Sequence, residues 1–215
     1  MVPRIQLSAL VLIAFGVWAI LLYLSGEAVS THWLAPYATV ITVLVITLAV
    51  FDVWVWRWRI LQGWFVKRPY LWGTWKVEIR SNWIDPATGA AIDPNNAFMT
   101  IRQTYSSVRV RMITEQSAGD LLIGHLIEQD DGAFRLIGVY RNEPRISARD
   151  RSAIHYGAFI LEVGGTAINP GPLRGYYWTD RGTRGELVVS DRRLQATNSY
   201  DVALRLFGMV AEAVD

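Results

Sequence analysis

DLLIGHLIEQDDGAFRLIGVYRN, Asp120 to Asn142, reads as two β-strands folded back about a turn. Apolar and polar residues alternate on both sides of Asp130-Asp131-Gly132. An Asp-Gly step between two alternating runs is a strong hairpin signal. Such alternation sends successive side chains to opposite faces of a sheet. The same period extends outward in both directions. Upstream lie WGTWKVEIRS (Trp72 to Ser81), AFMTIRQTY (Ala97 to Tyr105) and SSVRVRMITE (Ser106 to Glu115). Downstream lie SAIHYGAFILEV (Ser152 to Val163) and then LRGYYWTDRG and TRGELVVSD (Leu173 to Asp191), joined through Asp180-Arg181-Gly182. Asn82 to Asn96, with two Asp-Pro steps, reads as a long turn-rich loop.

Roughly eight strands with short turns form an antiparallel meander, and closing it into a barrel removes its exposed edges. An eight-stranded barrel is either filled by side chains or has room for one small ligand. The expected soluble domain, residues 71–198, is therefore all-β: a small closed antiparallel barrel, lipocalin-like in miniature. An open two-sheet sandwich is the competing arrangement. In residues 199–215, Val202, Leu206, Met209 and Val210 recur at helical spacing. They predict an amphipathic helix that plugs or flanks the barrel.

Before the barrel the composition changes. Residues 1–60 hold two apolar stretches, about Ile5 to Leu24 and about Trp33 to Trp56, each near the ~20 residues that a bilayer crossing needs. Arg4 precedes them, Arg57, Arg59, Lys67 and Arg68 follow, and the loop between has Glu27 but no Lys or Arg. This pattern predicts an α-helical transmembrane hairpin with both termini and the barrel in the cytoplasm. Residues 61–70 read as a linker. A cleaved signal peptide fits less well, because its apolar region is shorter, about 7–15 residues, and ends at a small-residue site. Asp52 is the ionisable group within a span and a default candidate for helix pairing. Thr39, Thr42 and Thr47 are placed to hydrogen-bond between packed helices.

The net charge of +2 divides evenly between residues 1–60 and the rest. It offers no concentrated basic surface for a long nucleic acid. The chain has no cysteine, so disulfides, thiol nucleophiles and thiolate metal sites are excluded. His32, His125 and His155 are scattered without metal-ligand spacing. No phosphate loop, dinucleotide fingerprint or nucleophile elbow occurs. The expectation is a protein without catalytic residues, cofactor or metal.

Binding chemistry is better represented. RGYYWTDRGTRGELVV, Arg174 to Val189, places Tyr176, Tyr177 and Trp178 beside Arg181 and Arg184. Aromatic rings stack on nucleobases, and guanidinium groups grip phosphates through forked hydrogen bonds. That pairing suits a small anionic nucleotide. It is equally ordinary for a strand followed by a solvated turn. Tyr140, Arg141 and Asn142 close the fifth strand near Arg145. Arg109 and Arg111 share one face of the third, and a solvated face is the simpler reading there. His155 is a wall residue or a base contact.

Two N-terminal apolar spans, a tryptophan-rich linker and a minimal barrel resemble the two-transmembrane, β-strand-rich effectors of bacterial CBASS anti-phage systems. LWGTWKVEIRSNW (Leu71 to Trp83) and LRGYYWTDRGTRGELVV (Leu173 to Val189) carry the local likeness. The resemblance implies a bacterial inner-membrane protein whose cytoplasmic barrel binds a cyclic dinucleotide made by a partner nucleotidyltransferase. It further implies that the protein homo-oligomerises on binding, disrupts the membrane and kills the infected cell. The positions that match by chemistry are Tyr140, Arg141, His155, Tyr177, Thr179, Arg181 and Arg184. Two other functions fit the same residues: a membrane-anchored carrier or sensor of an apolar ligand, and a structural docking subunit.

Overall fold

The meander closes. In the computed structural model, which describes residues 31–84, 89, 95–150 and 152–209 together with Phe15, Gly16, Ala19, Ile20, Tyr23 and Leu24, eight antiparallel strands form a closed barrel. They are β1 (Gly73–Ser81), β2 (Asn95–Gln103), β3 (Val108–Ile113), β4 (Ser117–Glu128), β5 (Phe134–Pro144), β6 (His155–Gly165), β7 (Pro170–Thr179) and β8 (Arg184–Arg193). Each strand pairs with its sequence neighbour, and β8 returns to β1, with Val77 opposite Val189. The chain divides into two compact units, Met1–Trp56 and Arg57–Asp215.

One half of the barrel is solid. Trp75, Met99, Ile101, Leu136, Leu161, Leu173 and Val189 fill it and are essentially unexposed. Leu71 plugs its pole. The Gln103 side chain holds the incoming chain there, accepting from the Leu71 amide at 2.8 Å and donating to the Pro69 carbonyl at 3.0 Å. The Trp75 indole N–H donates to the Leu71 carbonyl at 2.9 Å, which satisfies a polar group that burial would otherwise penalise.

After β8 the chain crosses the outside of β1 and β2. Outward-facing Thr74 and Thr100 tie it down: their hydroxyls donate to the carbonyls of Gln195 (2.7 Å) and Thr197 (2.5 Å). A short helix, Tyr200–Leu206, follows, capped by the Ser199 hydroxyl. It covers Phe98, an outward-facing ring of β2 that is fully buried under Phe207 and Tyr200, at ring-centroid distances of 5.4 and 5.6 Å. The tail therefore flanks the barrel and does not plug it. Its expected continuation over 210–215 lies outside the described residues.

The expected transmembrane hairpin is corrected. Most of its first span, about Ile5 to Leu24, lies outside the described residues; Phe15, Gly16, Ala19, Ile20, Tyr23 and Leu24 are helical. The second forms α1, Thr31–Val53, of 23 residues. Among the described residues, no helix is long and apolar enough to cross a membrane. The helix stops at Val53 and the backbone tightens into a 3-10 turn at Val55–Arg57. Trp54 and Trp56 therefore do not extend it, and Trp56 is fully buried. Thr42 and Thr47 are exposed on α1 and Asp52 is half-buried. Thr39 lies in the part of the helix whose side chains are not described.

Candidate functional site

The other half of the barrel is open. There the interior positions change from large apolar residues to small or polar ones: Ser81 on β1, Ser117 and Gly119 on β4, Gly157 on β6 and Thr179 on β7. The result is a cavity of about 560 Å³ at the pole where β1, β3, β5 and β7 end, in the usual range for a small-molecule site. Its floor is apolar, with Ile79, Val110, Met112 and Leu187. Its walls are aromatic, with Tyr140, Phe159 and Tyr177 standing over the floor and Trp83 and Tyr200 nearer the rim.

Tyr140 is seated by what lies opposite it. Its β6 partner is Gly157, and a Cβ there would stand 2.5 Å from the phenol oxygen. The missing side chain lets the ring lie against the wall, 6.2 Å from Phe159 and nearly parallel to it. Burial, with Tyr177 adding to it, pushes the Tyr140 phenol well above its ordinary range. Tyr140 therefore stays a neutral O–H donor at physiological pH.

His155 opens β6 and is 6% exposed. Its Nδ1 lies 3.0 Å from the Ala153 carbonyl oxygen. A carbonyl only accepts, so Nδ1 carries the proton and Nε2 is left as an acceptor. Burial lowers the imidazole pKa, the Arg181 guanidinium pushes it the same way, and the bond to Ala153 opposes them. The unfolded chain therefore takes up this proton more readily than the folded one. Stability is complete above the ordinary histidine value near 6.5 and declines as the pH falls below it. Thermal melting across pH 7 to 5 is expected to show a drop on the order of a few degrees that His155→Gln removes. An unchanged pH profile in that variant would discount the imidazole.

Arg181 supplies the charge. It sits in the β7–β8 turn, which is stapled to β6 by two reciprocal bonds: the Asp180 amide to the Tyr156 carbonyl at 2.9 Å, and the Tyr156 amide to Asp180 Oδ2 at 3.2 Å. Its Nη1 donates to the Ser152 hydroxyl at 3.0 Å. Among the described residues it forms no ion pair, and it is the one Lys or Arg lining the cavity. Thr179 and Thr183 join their hydroxyls below it.

Of the residues singled out in the sequence, Tyr140, His155, Tyr177, Thr179 and Arg181 converge on this cavity. Arg141 points to the outer face, exposed beside Glu143 at 3.9 Å. Arg184 is also outside: its backbone pairs reciprocally with Asn82, which locks β8 to the end of β1. Asn142, part of the cluster that closes the fifth strand, lines the cavity as well, and Ser117 and Thr183 do so without having been singled out. Strand alternation already marks Asn142, since it shares the face of Tyr140 and Arg141 does not. Among the described residues, no three His, Asp or Glu side chains cluster as metal ligands.

The arrangement offers π-faces for bases, neutral donors for base edges and one guanidinium that, among the described residues, has no ion-pair partner and is available for phosphate. No curated protein matches the chain. The family model of the Cap15 cyclic dinucleotide receptor domain matches residues 66–190, which takes in every strand of the barrel except the last three residues of β8. The chain belongs to that family, and its barrel is the cyclic dinucleotide receptor domain of a CBASS effector.

Proposed function

We propose that cyclic dinucleotide binding drives copies of this chain together, and that the assembly disrupts the bacterial inner membrane from its cytoplasmic face. The ligand, made by a partner nucleotidyltransferase, would serve as a signal and leave unaltered. The cavity carries this reading. Its lining is polar at the rim, with one guanidinium from Arg181 and one carboxylate from Glu115, and aromatic within, which suits a nucleotide better than an apolar cargo.

Two surfaces support the steps after binding. On the outside of the barrel, Ile123, Val139, Ala158 and Trp178 form one row across β4 to β7. Ile123, Val139 and Trp178 are exposed, and exposed Tyr176 adjoins them. An apolar band of this kind on a barrel exterior marks an interaction surface. On α1, Val43, Leu44, Val45 and Ile46 are all exposed. Four consecutive positions at 100° each circle the helix, so its apolar surface faces every direction and calls for cover by neighbours or lipid. A ligand shifts such an equilibrium only by its preference for one state, and an oligomer multiplies that preference over its protomers.

The test is a panel of cyclic di- and trinucleotides added to the full chain. At least one cyclic dinucleotide is expected to raise the melting temperature, increase light scattering and release dye from anionic vesicles. A rise in melting temperature without scattering or leakage would remove assembly and membrane damage from the reading. No response to any nucleotide would remove the reading altogether.

A further inference from the structure

The closed pole of the barrel, opposite the cavity, carries a surface that nucleotide recognition does not use. Residues 58–66 fold against it as a tight loop. The Leu61 amide donates to the Trp58 carbonyl at 2.9 Å, the Val66 amide to Leu61 at 2.8 Å and the Gly63 amide to Val66 at 2.9 Å. Val66 is buried and anchors the loop. Gly63 sits against the β6–β7 turn, where a Cβ would meet Ile168 Cδ1 at 3.3 Å.

Its large side chains point the wrong way for a folding core. Ile60, Trp64 and Phe65 are 76, 71 and 61% exposed, and Trp58 and Ile168 are each more than half exposed. The Trp64 indole donates to the Ile60 carbonyl at 2.5 Å, and the Trp64 and Phe65 rings lie 5.7 Å apart. Basic residues are interleaved with them: Arg57, Arg59 and Lys67 are exposed. No Asp or Glu occurs from Val53 to Val77.

We propose that this pole is a lipid-docking surface that seats the receptor barrel on an anionic bilayer. Trp58, Trp64 and Phe65 would enter the headgroup layer, and Arg57, Arg59 and Lys67 would meet lipid phosphates. Amphipathic aromatic rings favour that depth, and each basic residue near an anionic surface strengthens binding about fivefold. The charge pattern favours lipid over a second copy, since exposed cations on a segment, Val53 to Val77, that holds no acid oppose its docking on itself. Asp130 and Asp131, in the β4–β5 turn of the same pole, would tilt the barrel towards its β6–β7 side. A barrel seated in this way keeps its cavity facing the cytosol, open to the ligand. The proposal rests on the reading that the protein works at a membrane, but it needs no helix to cross one.

The absence of cysteine allows a site-specific test on the full chain without nucleotide. A solvent-sensitive dye on Phe65→Cys is expected to shift blue on preformed phosphatidylcholine–phosphatidylglycerol vesicles and to be quenched by lipid-borne nitroxide. The same dye on Ser147→Cys, at the cavity pole, should stay in water. Arg59→Gln with Lys67→Gln should weaken the vesicle dependence of the Phe65→Cys signal about 25-fold. A dye at position 65 that remains in water, a shift without nitroxide quenching, or an equal shift at both positions would each overturn the proposal. Because no nucleotide is present, a chain that fails to assemble on ligand leaves this result intact, and the reverse also holds.

Discussion

Gly175→Ala is expected to cost at least about 3 kcal/mol of folding stability, a large share of the roughly 5–15 kcal/mol typical of a domain. Gly175 faces inward on β7 and pairs with Leu161 of β6. A Cβ there would stand 1.9 Å from the Ile160 carbonyl oxygen and 2.9 Å from its carbon. Both are backbone atoms of the adjacent strand. The carbonyl cannot turn aside without breaking the β6–β7 ladder, and the ladder cannot open without unseating Tyr177 and Thr179 two and four residues on. An inward glycine of this kind lets the strand coil tightly enough to close a small barrel.

Gly157→Ala makes the comparison. There the nearest atoms belong to the Tyr140 ring, which can swing, with the Trp178 carbonyl oxygen next at 2.8 Å. It should cost less, about 1–2 kcal/mol, and disturb ligand binding more than folding. Urea unfolding of both variants checks the order. A loss below 1 kcal/mol for Gly175→Ala would mean that the barrel relaxes at this point and that its closure does not depend on the glycine.

The sequence was most legible where structure is local. The Asp130-Asp131-Gly132 turn joins β4 to β5 as alternation requires, and seven hairpin connections placed in order leave the eighth pairing, β8 with β1, to close the circle. Alternation was least reliable at Leu121–Ile123, where a bulge shifts the register. Before it Leu121 faces the cavity; after it Ile123 is exposed and Leu126 is buried. Strict alternation through that strand would turn its second half inside out.

The site was half legible for a related reason. Residues on one strand could be ranked by type, so Tyr140, Tyr177 and Arg181 stood out. Their facing was not used, which admitted Arg141 and Arg184. Ser117, Thr183 and Trp83 reach the cavity only because β1, β4 and β8 are brought to the same pole, and no local pattern announces that. The membrane hairpin failed in the opposite way. Hydropathy marked a continuous run to Trp56, but it is silent on where a helix stops, and this one gives way to a 3-10 turn after Val53.

Arg181→Ala is expected to weaken cyclic dinucleotide binding by roughly 30- to 100-fold while leaving the fold intact. The side chain is exposed and donates to a serine hydroxyl, so little folding energy depends on it. Among the described residues it is the one Lys or Arg lining the cavity, and a hydrogen bond from guanidinium to phosphate is worth about 1.5–3 kcal/mol. Arg181→Lys keeps the charge but loses the planar fork, and should recover only part of the affinity.

Arg184→Ala is the decisive control. It removes the same charge three residues away, from a side chain that faces outward across the strand. If the nucleotide merely follows a positive field, both alanine variants should weaken binding alike, and the effect should fade together with salt. If Arg181 touches phosphate, Arg184→Ala should change affinity less than threefold, and the difference between the two should persist at high ionic strength. Calorimetric titration of the full chain with a cyclic dinucleotide, at low and high salt, separates the two cases. Equal losses in both variants would take Arg181 out of the site and leave recognition to the aromatic walls.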